Sequence, residues 1–189
     1  LMKYISTRGQ TAPMDFSDVL LMGLAPDGGL MLPEHYPNID SRTLDEWRTL
    51  SYPQLAMAIM QRFATDIPAA DLQDIIERTY TSEVFGSDEI VPVRKLEDNL
   101  YILGLSNGPT LAFKDVAMQF LGNAFEYVLK RKNARITIIG ATSGDTGSAA
   151  EYALRGKDNI EVFMLSPHGK MSEFQRAQMY SLTDDNIHN

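Results

Sequence analysis

The sequence contains no cysteine. Disulfides, thiolate catalysis and cysteine-ligated metal are excluded with it. Histidine is scarce too: His35, His168 and His188 are the full set. None pairs with another at a spacing that suits zinc, so no metal site is expected. No apolar run approaches the length of a membrane span. The stretch 2–9, Met-Lys-Tyr-Ile-Ser-Thr-Arg-Gly, holds no apolar signal core. Positive charge is outnumbered: 17 Lys and Arg against 25 Asp and Glu leave a net charge of −8 and a pI near 4.8. That balance argues against nucleic acid or an anionic lipid surface as a general partner, and leaves room for a local cationic pocket. The default expectation is a soluble cytoplasmic protein.

What is present is an ordinary globular composition, 189 residues with 44% hydrophobic, enough for one domain or two small ones. Leu1 ahead of Met2 reads as an addition to the natural start. Residues 184–189 follow a helical pattern without a closing element, and the expectation is a piece of a longer chain. Residues 1–86 read as a small mixed α/β domain. It has a short edge strand at 2–8, a helix at 15–22, a tight turn at Pro26-Asp27-Gly28-Gly29, an apolar stretch at 30–33, and helices at 44–50, 52–63 and 69–79. Ile59, Phe63, Leu72, Ile75 and Ile76 are their expected buried faces. Composition changes at Gly86, and residues 87–189 alternate strand and helix. Strands are predicted at 100–105, 135–139 and 160–165, and helices at 115–130, 146–154 and 171–180. Ala117, Leu121, Ala124, Phe125 and Val128 form the buried stripe of the first helix, and Gly156 closes the second. Alternation of this kind predicts an α/β fold with a parallel sheet and right-handed crossovers. The run 135–139 has the continuous apolarity of a strand buried on both faces.

Lys114 lies in the segment 108–115, Gly-Pro-Thr-Leu-Ala-Phe-Lys-Asp, between a predicted strand and a predicted helix. An apolar setting and the positive end of a helix dipole both disfavour an ammonium ion. A neutral amine is what a carbonyl-trapping lysine needs. The plain alternative is a surface lysine laying its stem over apolar neighbours. A second segment, 140–147, reads Gly-Ala-Thr-Ser-Gly-Asp-Thr-Gly and joins a strand to a helix N-terminus. Its amides and the hydroxyls of Thr142, Ser143 and Thr146 would suit a carboxylate or phosphate. It matches neither a Walker A loop nor a dinucleotide fingerprint. The plain alternative is a strand-to-helix turn capped by Ser143 or Asp145. If the strand at 100–105 joins the parallel sheet, both segments emerge at its carboxyl edge, where ligands of open α/β sheets bind. A lysine able to form a Schiff base beside a carboxylate-binding loop is the pairing that pyridoxal-phosphate chemistry on amino acids requires.

The same segments carry a family resemblance. Residues 4–9 (Tyr-Ile-Ser-Thr-Arg-Gly), 23–30 (Gly-Leu-Ala-Pro-Asp-Gly-Gly-Leu, ending near Pro33), 108–115 and 140–147 occur in the order and form seen in bacterial threonine synthases. The chain resembles the N-terminal portion of that family over its whole length. The resemblance implies a fold type II pyridoxal-phosphate architecture: a small mixed α/β N-terminal domain followed by the beginning of a three-layer αβα domain. It implies conversion of O-phospho-L-homoserine and water to L-threonine and phosphate, by γ-elimination and then hydration at the β carbon. Lys114 would hold pyridoxal 5'-phosphate and move protons, and Asp145 would lie by the cofactor's ring hydroxyl. Thr142, Ser143, Gly144 and Thr146 would bind the substrate carboxylate. Asp145 stands where many related enzymes carry asparagine. A carboxylate there would repel the substrate's, so its side chain is expected to point away, as a helix cap.

Family members are more than twice this length, and the remainder of the family chain includes the loop that holds the cofactor phosphate. The 189-residue piece alone is therefore expected to be inactive, and a monomer or homodimer is expected for the protein. Residues 103–107, Leu-Gly-Leu-Ser-Asn, depart from the familiar Glu-Leu-Phe-His-Gly, and Asn107 could stand in for the histidine. Arg8 could reach the substrate phosphate or tie down the first strand. Lys170 could approach the cofactor site or be a solvated loop lysine. Trp47, Met57 and Met60 read as packing residues. Rival readings are a phospholyase or dehydratase on the same fold, or a non-catalytic binding module.

Overall fold

Strand β1 (Tyr4–Ser6) pairs antiparallel with β2 (Met31–Pro33). This is the centre of the first of two compact units, Leu1–Glu77, in a computed structural model that describes residues 1–189. Asp27 holds the turn between these strands together. Its carboxylate accepts from Ser6 Oγ at 2.7 Å, the Gly29 amide at 2.9 Å and the Gln10 amide at 3.0 Å. Burial acts to raise its pKa, but these bonds prevail and bring it down to about 2. Helices α1 (Phe16–Met22), α2 (Ser41–Trp47), α3 (Tyr52–Met60) and α4 (Ala69–Thr79) follow. Ser51 and Gln54 form a reciprocal capping box at the start of α3. Leu72, Ile75 and Ile76 of α4 are buried as expected, whereas Ile59 is 36% exposed.

The second unit, Arg78–Asn189, takes in the last two residues of α4 and continues with α5 (Ser82–Phe85), β3 (Val93–Glu97) and β4 (Leu100–Leu103). It continues with α6 (Asp115–Lys132), β5 (Ile136–Ala141), α7 (Asp145–Leu154), β6 (Ile160–Leu165), α8 (Glu173–Tyr180) and β7 (Ile187–His188). The α/β class with a parallel sheet is observed. Its strand order is β5-β6-β7, with Ile136 opposite Ile160 and Val162 opposite Ile187. The compact units meet at Glu77 and Arg78, nine residues before the composition change at Gly86.

Two expectations are corrected. The strand expected at 100–105 does not join the parallel sheet: β4 pairs antiparallel with β3 as a separate hairpin. Asn99 makes the turn with φ of 63°, a left-handed conformation that asparagine tolerates. Strand β5 is not buried on both faces, for its residues alternate between half-buried and exposed. Next to it, Ile160, Val162 and Met164 of β6 face the core, while Phe163 and Leu165 are exposed, as is Ile139 at 74%.

Helices α6 and α7 pack closely. The contact is possible because Gly122 has no side chain: a Cβ there would stand 2.3 Å from the Ala153 carbonyl oxygen. Ala124, Phe125, Val128 and Leu129 form the buried face of α6, while Ala117, expected in that stripe, is exposed. Helix α7 ends where expected, with Gly156 just beyond it at φ of 69°.

Candidate active site

The segment that carries Lys114 is folded around a buried carboxylate. Asp115, the first residue of α6, is fully buried. Its Oδ2 accepts from the Thr110 amide and its Oδ1 from Thr110 Oγ1, both at 2.8 Å. Burial raises the Asp115 pKa, and the Thr110 and Leu111 bonds oppose the rise. To wrap the carboxylate, the chain passes through Leu111 with φ of 65°, a conformation costly for a residue with a side chain. It also passes Gly108 so closely that a Cβ would fall 2.4 Å from Asp115 Cβ. Lys114 is thereby fixed at the N-cap position of α6, as the helical pattern predicted.

Lys114 does not stand in an apolar pocket. Its Nζ lies 2.7 Å from Asp145 Oδ2 and 4.3 Å from the centre of the Phe113 ring. The lysine side chain is 26% exposed and the aspartate 50%. Asp145 therefore points toward the lysine, contrary to the expectation that it turns away as a cap. The hydrogen bond from Lys114, more than any other influence, holds the Asp145 carboxyl below its usual pKa. Its other oxygen accepts from the Thr146 amide at 2.9 Å.

Capping of α7 falls to Thr142. Its Oγ1 accepts from the amides of Gly144 at 3.2 Å and Gly147 at 3.0 Å, satisfying donors that the start of a helix leaves open. Gly147 has to be glycine here, since a Cβ would lie 2.2 Å from Thr142 Cγ2. Gly144 is covered by Gln175 of α8, whose Cδ would be 2.3 Å from a Cβ at that position. Ser143 borders a cavity of 410 Å³ at the carboxyl ends of β5 and β6, shared with Leu165, Ser166 and Pro167. Thr146 is exposed in the first turn of α7. A second cavity, of 580 Å³, lies between the hairpin, the lysine segment and α8. Ile102, Thr110, Phe113, Asp145 and Gln175 are among its walls.

The structure thus brings Lys114 to the 140–147 turn through Asp145, and gathers Thr142, Ser143, Gly144 and Thr146 around that turn. The route differs from the one expected, because Lys114 is placed by the start of α6 and not by a neighbouring strand of the sheet. Three contributors were missed: Asp115, Thr110 and Gln178, whose Nε2 donates to the Thr110 carbonyl at 3.0 Å. An aspartate in the first turn of a helix with a threonine five residues before it was the available signal for the first two. Arg8 donates to the Asp27 carbonyl at 2.9 Å and so secures the first unit's turn. Lys170 is exposed and Asn107 is half-buried. Trp47 packs under the Arg62 guanidinium, 5.0 Å away, and Met57 and Met60 are half-buried. No cluster of three metal-ligating side chains exists, and no helix is long and apolar enough to cross a membrane.

Residues 3–80 match the family described as threonine synthase N terminus. A threonine synthase of Methylobacillus glycogenes is 59% identical over 100% of this chain, which covers 41% of that protein. One from Corynebacterium glutamicum is 55% identical over 100% of this chain and 40% of its own. Over its whole length the chain is similar to part of a threonine synthase. Solved structures agree. The crystal structure of a pyridoxal-phosphate-bound threonine synthase from Brucella melitensis superposes with a TM-score of 0.94 at 45% identity, covering 100% of this chain and 40% of that one. The yeast threonine synthase gives 0.90 at 46% identity, covering 97% and 39%. The chain spans about two fifths of the length of these relatives.

Proposed function

We propose that the protein acts as a threonine synthase, converting O-phospho-L-homoserine and water to L-threonine and phosphate with pyridoxal 5'-phosphate. The observation that carries this reading is the position of Lys114. Its amine faces the glycine- and hydroxyl-rich turn at 140–147 across a single hydrogen bond, within a chain alike to threonine synthases from end to end.

The residues present fit that cofactor. Lys114 offers an amine reachable from solvent for covalent attachment, and the Asp145 carboxylate lies 2.7 Å away to orient it. The cofactor supplies an electron sink for charge developing at the substrate's α carbon. Once released, the Lys114 amine can move protons at the α and β carbons. Asp145, with its lowered pKa and half-exposed side chain, would pass a proton to solvent more readily than keep it. Asp145 would also help to hold the cofactor through its ring hydroxyl. Thr142, Ser143, Gly144 and Thr146 would orient the substrate carboxylate through amides and hydroxyls. In this reading residues 1–86 form the N-terminal domain, residues 87–189 begin the cofactor-binding domain, and the protein works in the cytoplasm as a monomer or homodimer.

The test is to incubate the full-length natural protein with O-phospho-L-homoserine and assay threonine and phosphate together. Both should form in equal amounts. Phosphate without threonine would replace the synthase with a phospholyase. Lys114→Ala should remove the visible absorption band of the bound cofactor, and a band that survives would place the attachment on another lysine.

A further inference from the structure

A network of hydrogen bonds, joined through the chain between Asp115 and Lys114 and between Asp145 and Ser148, links three segments that are distant in sequence. Gln178 on α8 sits at its centre. Its Nε2 donates to the Thr110 carbonyl at 3.0 Å, and its Oε1 accepts from Ser148 Oγ at 2.9 Å. On one side, Thr110 is clamped by both carboxylate oxygens of Asp115, the neighbour of Lys114. On the other, Ser148 lies on α7 one turn beyond Asp145, which returns to Lys114 at 2.7 Å. Thr110 is 4% exposed and Ser148 is fully buried, so both rely on protein partners for hydrogen bonding.

We propose that Gln178 is a positioning residue for Lys114: it fixes the lysine segment against the turn at 140–147. The proposal rests on the reading of Lys114 and Asp145 as site residues given above. A glutamine that merely filled space between helices would have no cause to bond these two segments with both ends of its amide. Helix α8 also meets the turn at a second point, one helical turn earlier, where Gln175 covers Gly144. Removing the Gln178 amide frees the Thr110 carbonyl and leaves the Asp115 clamp without its outer support. The lysine segment, already carrying Leu111 in a left-handed conformation, then loosens first.

The experiment uses the full-length natural protein prepared without pyridoxal phosphate. An amine-acylating reagent labels its lysines across the alkaline range, and peptide mass spectrometry reads the rate at Lys114 against Lys3 as an internal control. Hydrogen exchange is followed over residues 108–114. In Gln178→Leu the Lys114 rate should rise several-fold with a changed pH profile. Exchange over 108–114 should quicken by about tenfold, the loss of one buried hydrogen bond, while Lys3 stays unchanged. Gln178→Glu keeps the acceptor for Ser148 but cannot donate to Thr110. It should give the same effect on the lysine segment, and it serves if the leucine variant does not fold. Wild-type labelling and exchange at 108–114 in either folded variant would overturn the proposal. If the loosening is seen but the wild-type protein forms no threonine, the positioning stands and the proposed function falls. If threonine is formed and the variants label like wild type, the positioning alone falls.

Discussion

Lys114 Nζ and Asp145 Oδ2 form an ion pair at 2.7 Å between residues 31 apart in sequence. With the partners 26% and 50% exposed, water screens the attraction, and the pair should contribute less than about 1 kcal/mol to stability. Asp145 titrates lower in the folded protein than its ordinary 3.8, chiefly through the Lys114 hydrogen bond. Its contribution is therefore present above that value and is lost as pH falls through the lower folded one. Asp145→Asn should shift the denaturation midpoint at neutral pH only slightly while making Lys114 several-fold easier to acylate. A loss beyond roughly 2 kcal/mol would mean that Asp145 behaves as a buried charge and not as a screened partner.

Thr142 offers a cleaner handle on the turn. Its hydroxyl accepts two amides, those of Gly144 and Gly147. Thr142→Val keeps the shape and removes the acceptor, so about 1–2 kcal/mol should be lost, as for other helix caps. The Gly144 and Gly147 amides should exchange faster, and Thr142→Ser should restore both. Unchanged protection of those two amides in the valine variant would show that the cap is not the source of the turn's order.

The sequence made the helices and the short motifs legible and left the pairings obscure. Helix α6 and strand β6 follow from periodicity and continuous apolarity, because these depend on neighbours within a few residues. That Lys114 meets the 140–147 turn was readable from motifs, yet the reason inferred for it failed. Strand β4 looked like a sheet strand, and only the tight turn at Asn99 hinted that it folds back on β3. Ile139, Phe163 and Leu165 are apolar and exposed, so composition overstated burial on that face. Gln178 was invisible for the opposite reason. A glutamine on a helix reads as solvated until its partners, Thr110 and Ser148, are brought to it from 68 and 30 residues away.

Gly122 tests the packing of α6 on α7. In an exposed helix, alanine would be favoured over glycine by about 1 kcal/mol. Here a Cβ would meet the Ala153 carbonyl oxygen at 2.3 Å and its carbon at 3.0 Å, both backbone atoms that cannot swing aside. Forcing the two helices apart should cost about 1–3 kcal/mol, which outweighs the propensity gain. Gly122→Ala should thus lower the urea midpoint. A midpoint at or above wild type would show that the helices separate without cost.

Glu151 should make the protein less stable as pH rises toward neutrality. It is fully buried on α7, and neither carboxylate oxygen has a protein hydrogen-bond partner. Burial pushes its pKa up to about 7 from 4.5, and the nearby Asn189 amide offsets this only in part. Between those values the unfolded chain gives up its proton while the folded one keeps it. Stability then falls with rising pH across the window and levels off above it. The full shift corresponds to about 3 kcal/mol. Asp27 and Asp145 titrate below this window and do not mask the effect. Glu151→Gln carries no ionisable group there, so it should match wild type near pH 4.5 and exceed it by about 2–3 kcal/mol near pH 8. Urea unfolding of both proteins at the two pH values measures the difference. A wild-type midpoint that climbs from the acidic to the neutral condition, in step with the glutamine variant, would show that Glu151 is ionised and paired in the folded protein.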